Sequence, residues 1–469
     1  MRELPGQVTS GEVWTAMVFD PSSYTEFRYV SADFSAEDFS FSFSFELVSP
    51  EHTHAFTERI SFTPVRPEHD VDWPRVRSLA VILGAVLGLS YYKVAAPGRY
   101  VIALEGMTQA GLTYLSSVLR EGLAEYAYRN KFPGLLSPEI VMEAPVAQPW
   151  LDSDHQTPTG DPLVPIGGGK DSVVTVELLA AARMHPVQFA VNPNKIIYRV
   201  GRIKGHPVLA ATRDLDLRLL ELNESGALNG HVPVTAMNSL IALVQARIIG
   251  LGPVVMSLEA SASEATLEWD GHEVNHQWSK SEEAESLLQD MLGPQAGLSA
   301  GAYFSLLRPY SEVQIARYFA ALPEYHPVIT SCNRAFRRGV EDARWCGDCD
   351  KCRFIFLILS PFIPSTSLTR MFADNLLDNP TQVEGYRALL GLHEHRPFEC
   401  VGEQAESLLA FTWISHQSDW SHSAVVSALT EEMPDLLKHH PELEEQVLGE
   451  RQGRLSLPAP FGTLGSVLA

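Results

Sequence analysis

A short apolar run, Leu163-Val164-Pro165-Ile166, ends in three consecutive glycines, and Lys170, Asp171, Ser172 and a helix-forming segment to about Met184 follow at once. This order predicts a strand, a tight turn and a helix N-terminus. No side chain blocks the turn. Backbone N–H groups at Gly167, Gly168 and Gly169 can therefore converge on an anion, and the helix dipole adds favourable potential. The segment is not a Walker A loop, because no glycine stands at Val164 and Asp171 follows Gly169-Lys170 where Ser or Thr is required. Read alone, it also suits a glycine turn that merely joins strand to helix.

The grammar around the loop is regular. Apolar segments at 163–166, 187–191, 207–211, 253–258 and 327–331 alternate with helical patterns at 172–184, 238–250, 281–292 and 311–322. That alternation predicts an α/β fold with a doubly wound, mostly parallel sheet, and ligands at the carboxyl ends of its strands. Ser311-Glu312-Val313-Gln314 predicts a capping box. Residues 1–151 are expected to form a separate α+β domain. There, Phe39 to Phe45 alternates aromatic and polar residues, with Phe56 to Phe62 as hairpin partner. A buried helix is expected at 79–92, a strand near 100–104 and a helix from Gln109 to Tyr128. The polar stretch Asp152 to Asp161 is the linker candidate, 162–355 the loop-bearing domain, and 356–469 a helical C-terminal region.

Charge and cysteines narrow the partners. The 469 residues carry 35 Lys+Arg against 57 Asp+Glu, a net charge of −22 that repels polyanions, so no nucleic-acid partner is expected. The same charge also serves solubility. The run Leu79 to Tyr92 is too short to span a bilayer and no secretory pattern opens the chain, so a cytoplasmic protein without membrane insertion is expected. Four of five cysteines cluster: Cys332, Cys346, Cys349 and Cys352. This spacing can close a tetrahedral site, structural zinc by default, with an iron–sulfur cluster possible on the same ligands. Cys400 stands apart.

The loop resembles the Ser-Gly-Gly-x-Asp-Ser loop of the N-type ATP pyrophosphatases, which grip β and γ phosphates and release AMP and pyrophosphate; Gly167 stands where that family has its first serine. A similar cysteine group follows the same loop in the synthases that make the nitrile precursor of queuosine. Three further stretches are unusually polar: Gly230-His231-Val232-Pro233-Val234-Thr235, Val274 to Ser281, and His395 to Gly402. Taken with Ile166 to Ser172, Arg308-Pro309-Tyr310-Ser311-Glu312 and Ser331 to Phe354, they resemble the ATP-dependent epimerases of UDP-N-acetylmuramoyl-L-alanyl-L-glutamate in bacterial cell-wall precursor synthesis. The resemblance runs from about Ser90-Tyr91-Tyr92-Lys93 to about Gly402, and that family shares the Gly167 departure. It implies a PP-loop, HUP-like fold, ATP and Mg²⁺, the UDP-N-acetylmuramoyl-dipeptide as substrate, and pathway coupling to the muramoyl-L-alanine glutamate ligase.

The implied reaction inverts the terminal glutamate. Removing a Cα proton beside a free carboxylate creates a dianion; adenylating that carboxylate removes the charge and leaves a carbonyl to receive the electron pair. Under that reading Gly167, Gly168, Gly169 and Ser172 hold phosphates, and Asp171 helps hold Mg²⁺. Lys170 either neutralises phosphate charge or faces solvent. Arg334, Arg337 and Arg338 either bind a diphosphate or keep the surface soluble. His231, Asn275 and Gln277 are candidates for substrate binding. His276, Lys280 and Cys400 are candidates for the proton shuttle, with Glu259 for that role or for substrate recognition. Cys400 acts as a base only if positive neighbours lower its pKa, and is otherwise a buried inert thiol. Ser279, with Glu282 three residues on, reads as a helix N-cap. The competing expectations are a queuosine-precursor-type synthase or amide-forming ligase, a tRNA-modifying thiolase, and a nucleotide sensor.

Overall fold

In the computed structural model, residues 19–64, 69–336, 344–392, 397–433, 442–449 and 457–466 are described. The aromatic alternation forms the expected antiparallel pair. Strand β2 (Ser40–Val48) turns Phe41, Phe43, Phe45 and Leu47 into the core and leaves the serines between 41 and 45 half-buried, so one face packs and the other meets solvent. It lies between β1 (Glu26–Ser35) and β3 (Thr53–Ser61), both antiparallel to it. Beyond β1 come β4 (Arg99–Ile102) and β5 (Glu139–Met142), each parallel to its neighbour.

The helix Trp73–Leu87 crosses the aromatic face of this sheet. Gly84 makes the approach possible, since a Cβ there would fall on the ring of Tyr29 and meet Phe43. The stretch Trp73–Tyr92 is long and apolar enough to cross a membrane by composition, yet 78% of its most apolar window is buried inside the protein, as a core helix would be.

The second half of the sheet is parallel. Strand β6 (Leu163–Pro165) has β7 (Val187–Val191) and then β8 (Val208–Asp214) on one side. On the other side lie β9 (Val254–Met256) and, outermost, a strand Tyr303–Ser305. A small separate hairpin, β10 (Leu267–Trp269) and β11 (His272–Val274), intervenes in sequence, so Tyr303–Ser305 is β12. The chain winds outward from β6 to β8, then returns past β6 to β9. This reversal opens a crevice at the carboxyl ends of β6 and β9, where the glycine loop emerges.

Two expectations are corrected. The apolar segment at 327–331 is not a strand: Thr330 N–H donates to Gly168 O at 3.0 Å, so that segment lies over the loop and the sheet ends at the three-residue β12. The helix expected to be capped by Ser279 begins at Glu282 and is capped by Ser281, whose hydroxyl accepts from Ala284 N–H; Trp278–Lys280 forms a short turn first. The Ser311–Gln314 capping box is present in both directions.

The linker at 152–161 breaks neither sheet nor core. Antiparallel pairing of β3 with β8 joins both halves into one ten-stranded sheet, β12-β9-β6-β7-β8-β3-β2-β1-β4-β5. Across that junction Arg213 donates to the fully buried Glu58 at 2.6 Å and to Ser90 Oγ at 2.9 Å. One apolar core runs from Phe27 through Leu163 to Tyr303. Beyond Asp350–Leu359 the described residues are helical, at Ser365–Phe372, Val383–Leu389, Gln404–Ser415, Ala424–Glu432 and Glu442–Leu448.

Because Glu58 has no water to fall back on, Arg213→Met is expected to destabilise the protein by about 3–5 kcal/mol in urea unfolding, and adding Glu58→Gln to return part of that. Unchanged stability in the single variant would mean that the junction contributes little.

Candidate active site

Gly168 has φ +85°, a left-handed backbone that glycine adopts without strain, and a Cβ on Gly169 would meet Ser331 Oγ at 2.7 Å. The loop thus turns sharply into the helix Lys170–Ala181 with its backbone exposed to the crevice. A cleft of about 370 Å³ opens there, and Gly167, Gly169, Asp171, Ser172, Lys280 and Cys400 are among its lining residues. The Ser172 hydroxyl donates to Gly169 O at 3.3 Å, bracing the turn.

Lys170 does not face solvent. Its ammonium is fully buried and donates to both Asp171 and Glu312. Burial opposes its charge, but Asp171 and Glu312 outweigh that and raise its pKa; burial likewise opposes the charge on Asp171, and the Lys170 and Lys351 ammoniums hold it below the usual carboxylate range. Lys351 Nζ stands 3.8 Å from the other Glu312 oxygen and also lines the cleft. Glu312 and Lys351 escaped sequence reasoning: one looked like a capping-box residue, the other like a spacer between cysteines.

A second cluster forms the opposite wall. Lys280 Nζ donates to Cys400 Sγ at 3.1 Å. His276 hydrogen-bonds Cys400 and, through Nδ1, donates to Glu125 Oε2 at 2.5 Å. Burial would raise the Cys400 pKa, but the Lys280 ammonium and the His276 hydrogen bond pull it down to about 5. Burial opposes the charge on His276, and its bonds to Cys400 and Glu125 lift it to about 9. Lys280 is raised against burial, chiefly by Cys400 and then by Glu259. His231, its ring 4.7 Å from that of His276, goes the other way: burial and the neighbouring imidazolium lower it to about 4. Near neutral pH the cluster therefore reads as thiolate, imidazolium, ammonium and one neutral histidine. Glu125, on the helix Ala124–Asn130, was missed because it lies in the stretch read as a separate domain.

The other expected residues surround this pair of clusters. Glu259 is buried three residues past β9, and its main-chain oxygen accepts from Arg308, which also bonds Lys280 O and Glu285. Asn275 is spent on the backbone, donating to Ala262 O and accepting from Gln277 N–H. Gln277 donates to Val401 O and accepts from Lys280, which ties the Cys400 segment to Lys280. Neither lines the cleft. Arg334 pairs with Asp348 at 3.4 Å beside the cysteine cluster instead of lining the cleft, where its neighbour Asn333 appears. Arg337, Arg338, His395 and Arg396 lie outside the described residues.

The sulfurs of Cys332, Cys346, Cys349 and Cys352 all lie within 4.8 Å of one another, with Cys349 to Cys352 at 3.4 Å and Cys346 to Cys352 at 3.6 Å. Tetrahedral thiolate coordination at about 2.3 Å requires sulfurs about 3.8 Å apart, so the donor set fits one metal ion with no open position.

Family models described as the MurL N-terminal domain and the MurL C-terminal domain match residues 18–306 and 328–444. The chain belongs to the MurL family. The N-terminal model takes in all twelve strands of the described residues, and the C-terminal one the cysteine cluster and Cys400. A protein of Salinispora tropica named UDP-N-acetyl-alpha-D-muramoyl-L-alanyl-L-glutamate epimerase is 47% identical over 395 residues, 84% of this chain and 85% of that one. Proteins of the same name from a Micromonospora strain and from Xanthomonas oryzae pv. oryzae are 46% and 38% identical over 84% and 82% of this chain, and 87% and 84% of their own lengths. No solved structure matches.

Two outcomes follow from the geometry. Alkylation of Cys400 by iodoacetamide, read by peptide mass spectrometry, is expected to vary little between about pH 7 and 9 and to fall off below about pH 5. A rise of about 25-fold between pH 7 and pH 9 would identify an ordinary thiol with a pKa near 8.5. Cys349→Ser is expected to be unfolded or insoluble, and a soluble, metal-free variant with full activity would remove the structural role of the cysteine cluster.

Proposed function

We propose that this protein is an ATP-dependent epimerase that converts the terminal L-glutamate of UDP-N-acetylmuramoyl-L-alanyl-L-glutamate to D-glutamate, with ATP split to AMP and pyrophosphate. The family relationship supports the reaction. The observation that carries the mechanism is that one cleft holds both the glycine loop and the Lys280–Cys400 pair. A loop built for phosphates has a purpose beside a base when the reaction must first cancel a carboxylate charge.

On this reading the N–H groups of residues 167–169 and the helix N-terminus receive the phosphates. Lys351 adds a cation at the cleft and Ser172 a hydroxyl. Asp171 offers a hard oxygen to Mg²⁺, which would neutralise phosphate charge and favour departure of pyrophosphate. The fold is then of the PP-loop, HUP-like kind, its nucleotide seated where the strand order reverses. Zinc on the four cysteines would hold the segment that carries Lys351 against the loop. Among the described residues, Cys400, His276, Lys280 and Glu259 are the groups available for the Cα proton. The substrate is a soluble sugar nucleotide, so the enzyme acts in the cytoplasm, alongside the ligase that adds glutamate to muramoyl-L-alanine.

Incubation with the L-glutamyl substrate and ATP is expected to give AMP, pyrophosphate and the D-glutamyl product without added ammonia. Asp171→Asn, which keeps an oxygen acceptor beside the buried Lys170, is expected to lower AMP formation by about 100-fold or more while the folded structure persists. Turnover that makes ADP, or that requires an amine and yields an amide, would replace this reading.

A further inference from the structure

We propose that Glu125, His276 and Cys400 form a single carboxylate–imidazolium–thiolate chain in which Cys400 meets the substrate Cα and Glu125 is a positioning residue that keeps Cys400 charged. This assignment rests on the reaction proposed above, but its test does not depend on turnover.

The order of the chain follows from where each group stands. Cys400 lines the cleft with the glycine loop, whereas His276 and Glu125 do not. His276 is hydrogen-bonded to Cys400, and its Nδ1–H donates to Glu125 at 2.5 Å. Glu125 is in turn fixed by Arg129 Nε at 2.6 Å, one helical turn away. Three remote parts of the sequence meet here, in an arrangement where each group orients and charges the next.

The charges also balance. Cys400 faces two cations, Lys280 and His276, with Lys351 further off, while Glu399 of its own segment opposes ionisation less strongly. Glu259 and Asp171 act on Lys280, and Lys93 and Lys280 act on His231. Glu125 is met by Arg129 and His276, Cys400 by His276 and Lys280, and Glu259 and Asp171 offset Lys280 in turn. His231, 3.9 Å from Glu125, stays neutral, so the carboxylate serves His276. Neutralising Glu125 would leave a buried imidazolium with one anion, the proton would leave His276, and Cys400 would lose one of its two nearest cations.

In the reaction the thiolate takes the Cα proton: the C–H bond breaks, an S–H bond forms, and the electron pair moves onto the oxygen of the activated carboxyl group. A proton from water enters at the other face, and the thiol returns its proton to water, so the cysteine is unchanged over the cycle.

The test is the pH titration of Cys400 alkylation in metal-loaded, full-length protein. In Glu125→Gln the midpoint is expected to rise by about one unit or more from its parent value. kcat for deuterium entry at Cα is expected to fall at least tenfold, with KM for ATP within twofold. Glu125→Asp should restore much of both. His276→Gln, which alters no helix, should move the midpoint the same way if Glu125→Gln does not fold. An unmoved midpoint in both variants overturns the chain. So does a second bound metal lost on changing Glu125, or a substrate adduct on Cys400 that survives denaturation. Failure of the parent to make AMP would instead fell the reaction and leave the titration standing.

Discussion

A lysine ammonium with no exposure to water is stable only where carboxylates surround it, and Lys170 meets that condition between Asp171 and Glu312. This contact fixes the start of the loop helix against the helix Glu312–Ala320. The N–H of Glu312 also donates to Glu406 at 2.8 Å, and its second carboxylate oxygen faces Lys351 from the cysteine segment. One buried residue, through its carboxylate and its N–H, therefore gathers the glycine loop, the capping box, the C-terminal helices and the cysteine cluster around a single crevice. The open backbone of the loop depends on that frame, because three glycines have no side chains with which to hold themselves in place.

The aromatic N-terminal sheet belongs to the same frame. Pairing of β3 with β8 makes it an extension of the parallel sheet, and the helices after β4 bring Glu125 within hydrogen-bond distance of His276. A region that carries no sequence motif thus supplies the carboxylate that holds His276. This explains why the family's N-terminal region runs unbroken through both halves of the sheet.

What could be read from the sequence was local. Three glycines, a capping box and closely spaced cysteines each act within a few residues, and each sits where its spacing places it. The alternating phenylalanines gave β2 correctly for the same reason. What escaped was set by distance or brevity. Glu125 and His276 are 151 residues apart, and Lys170 and Glu312 are 142 apart. No local pattern marks either pair. Strand β12 has only three residues, too few for a period, whereas 327–331 has the apolar content of a strand but spends Thr330 N–H on the glycine loop. His276, Lys280 and Cys400 were named singly as candidates. Their union in one charged cluster is a tertiary fact.

The account stands on activation of the carboxylate and loss of the Cα proton taking place in one crevice, at the ends of β6 and β9. A crystal structure with a non-hydrolysable glutamyl-adenylate mimic tests this most directly. The phosphate mimic should lie on the N–H groups of residues 167–169, with the glutamyl Cα in contact with Cys400 Sγ. A nucleotide seated elsewhere, or a Cα turned away from Cys400 toward the cysteine cluster, would contradict it.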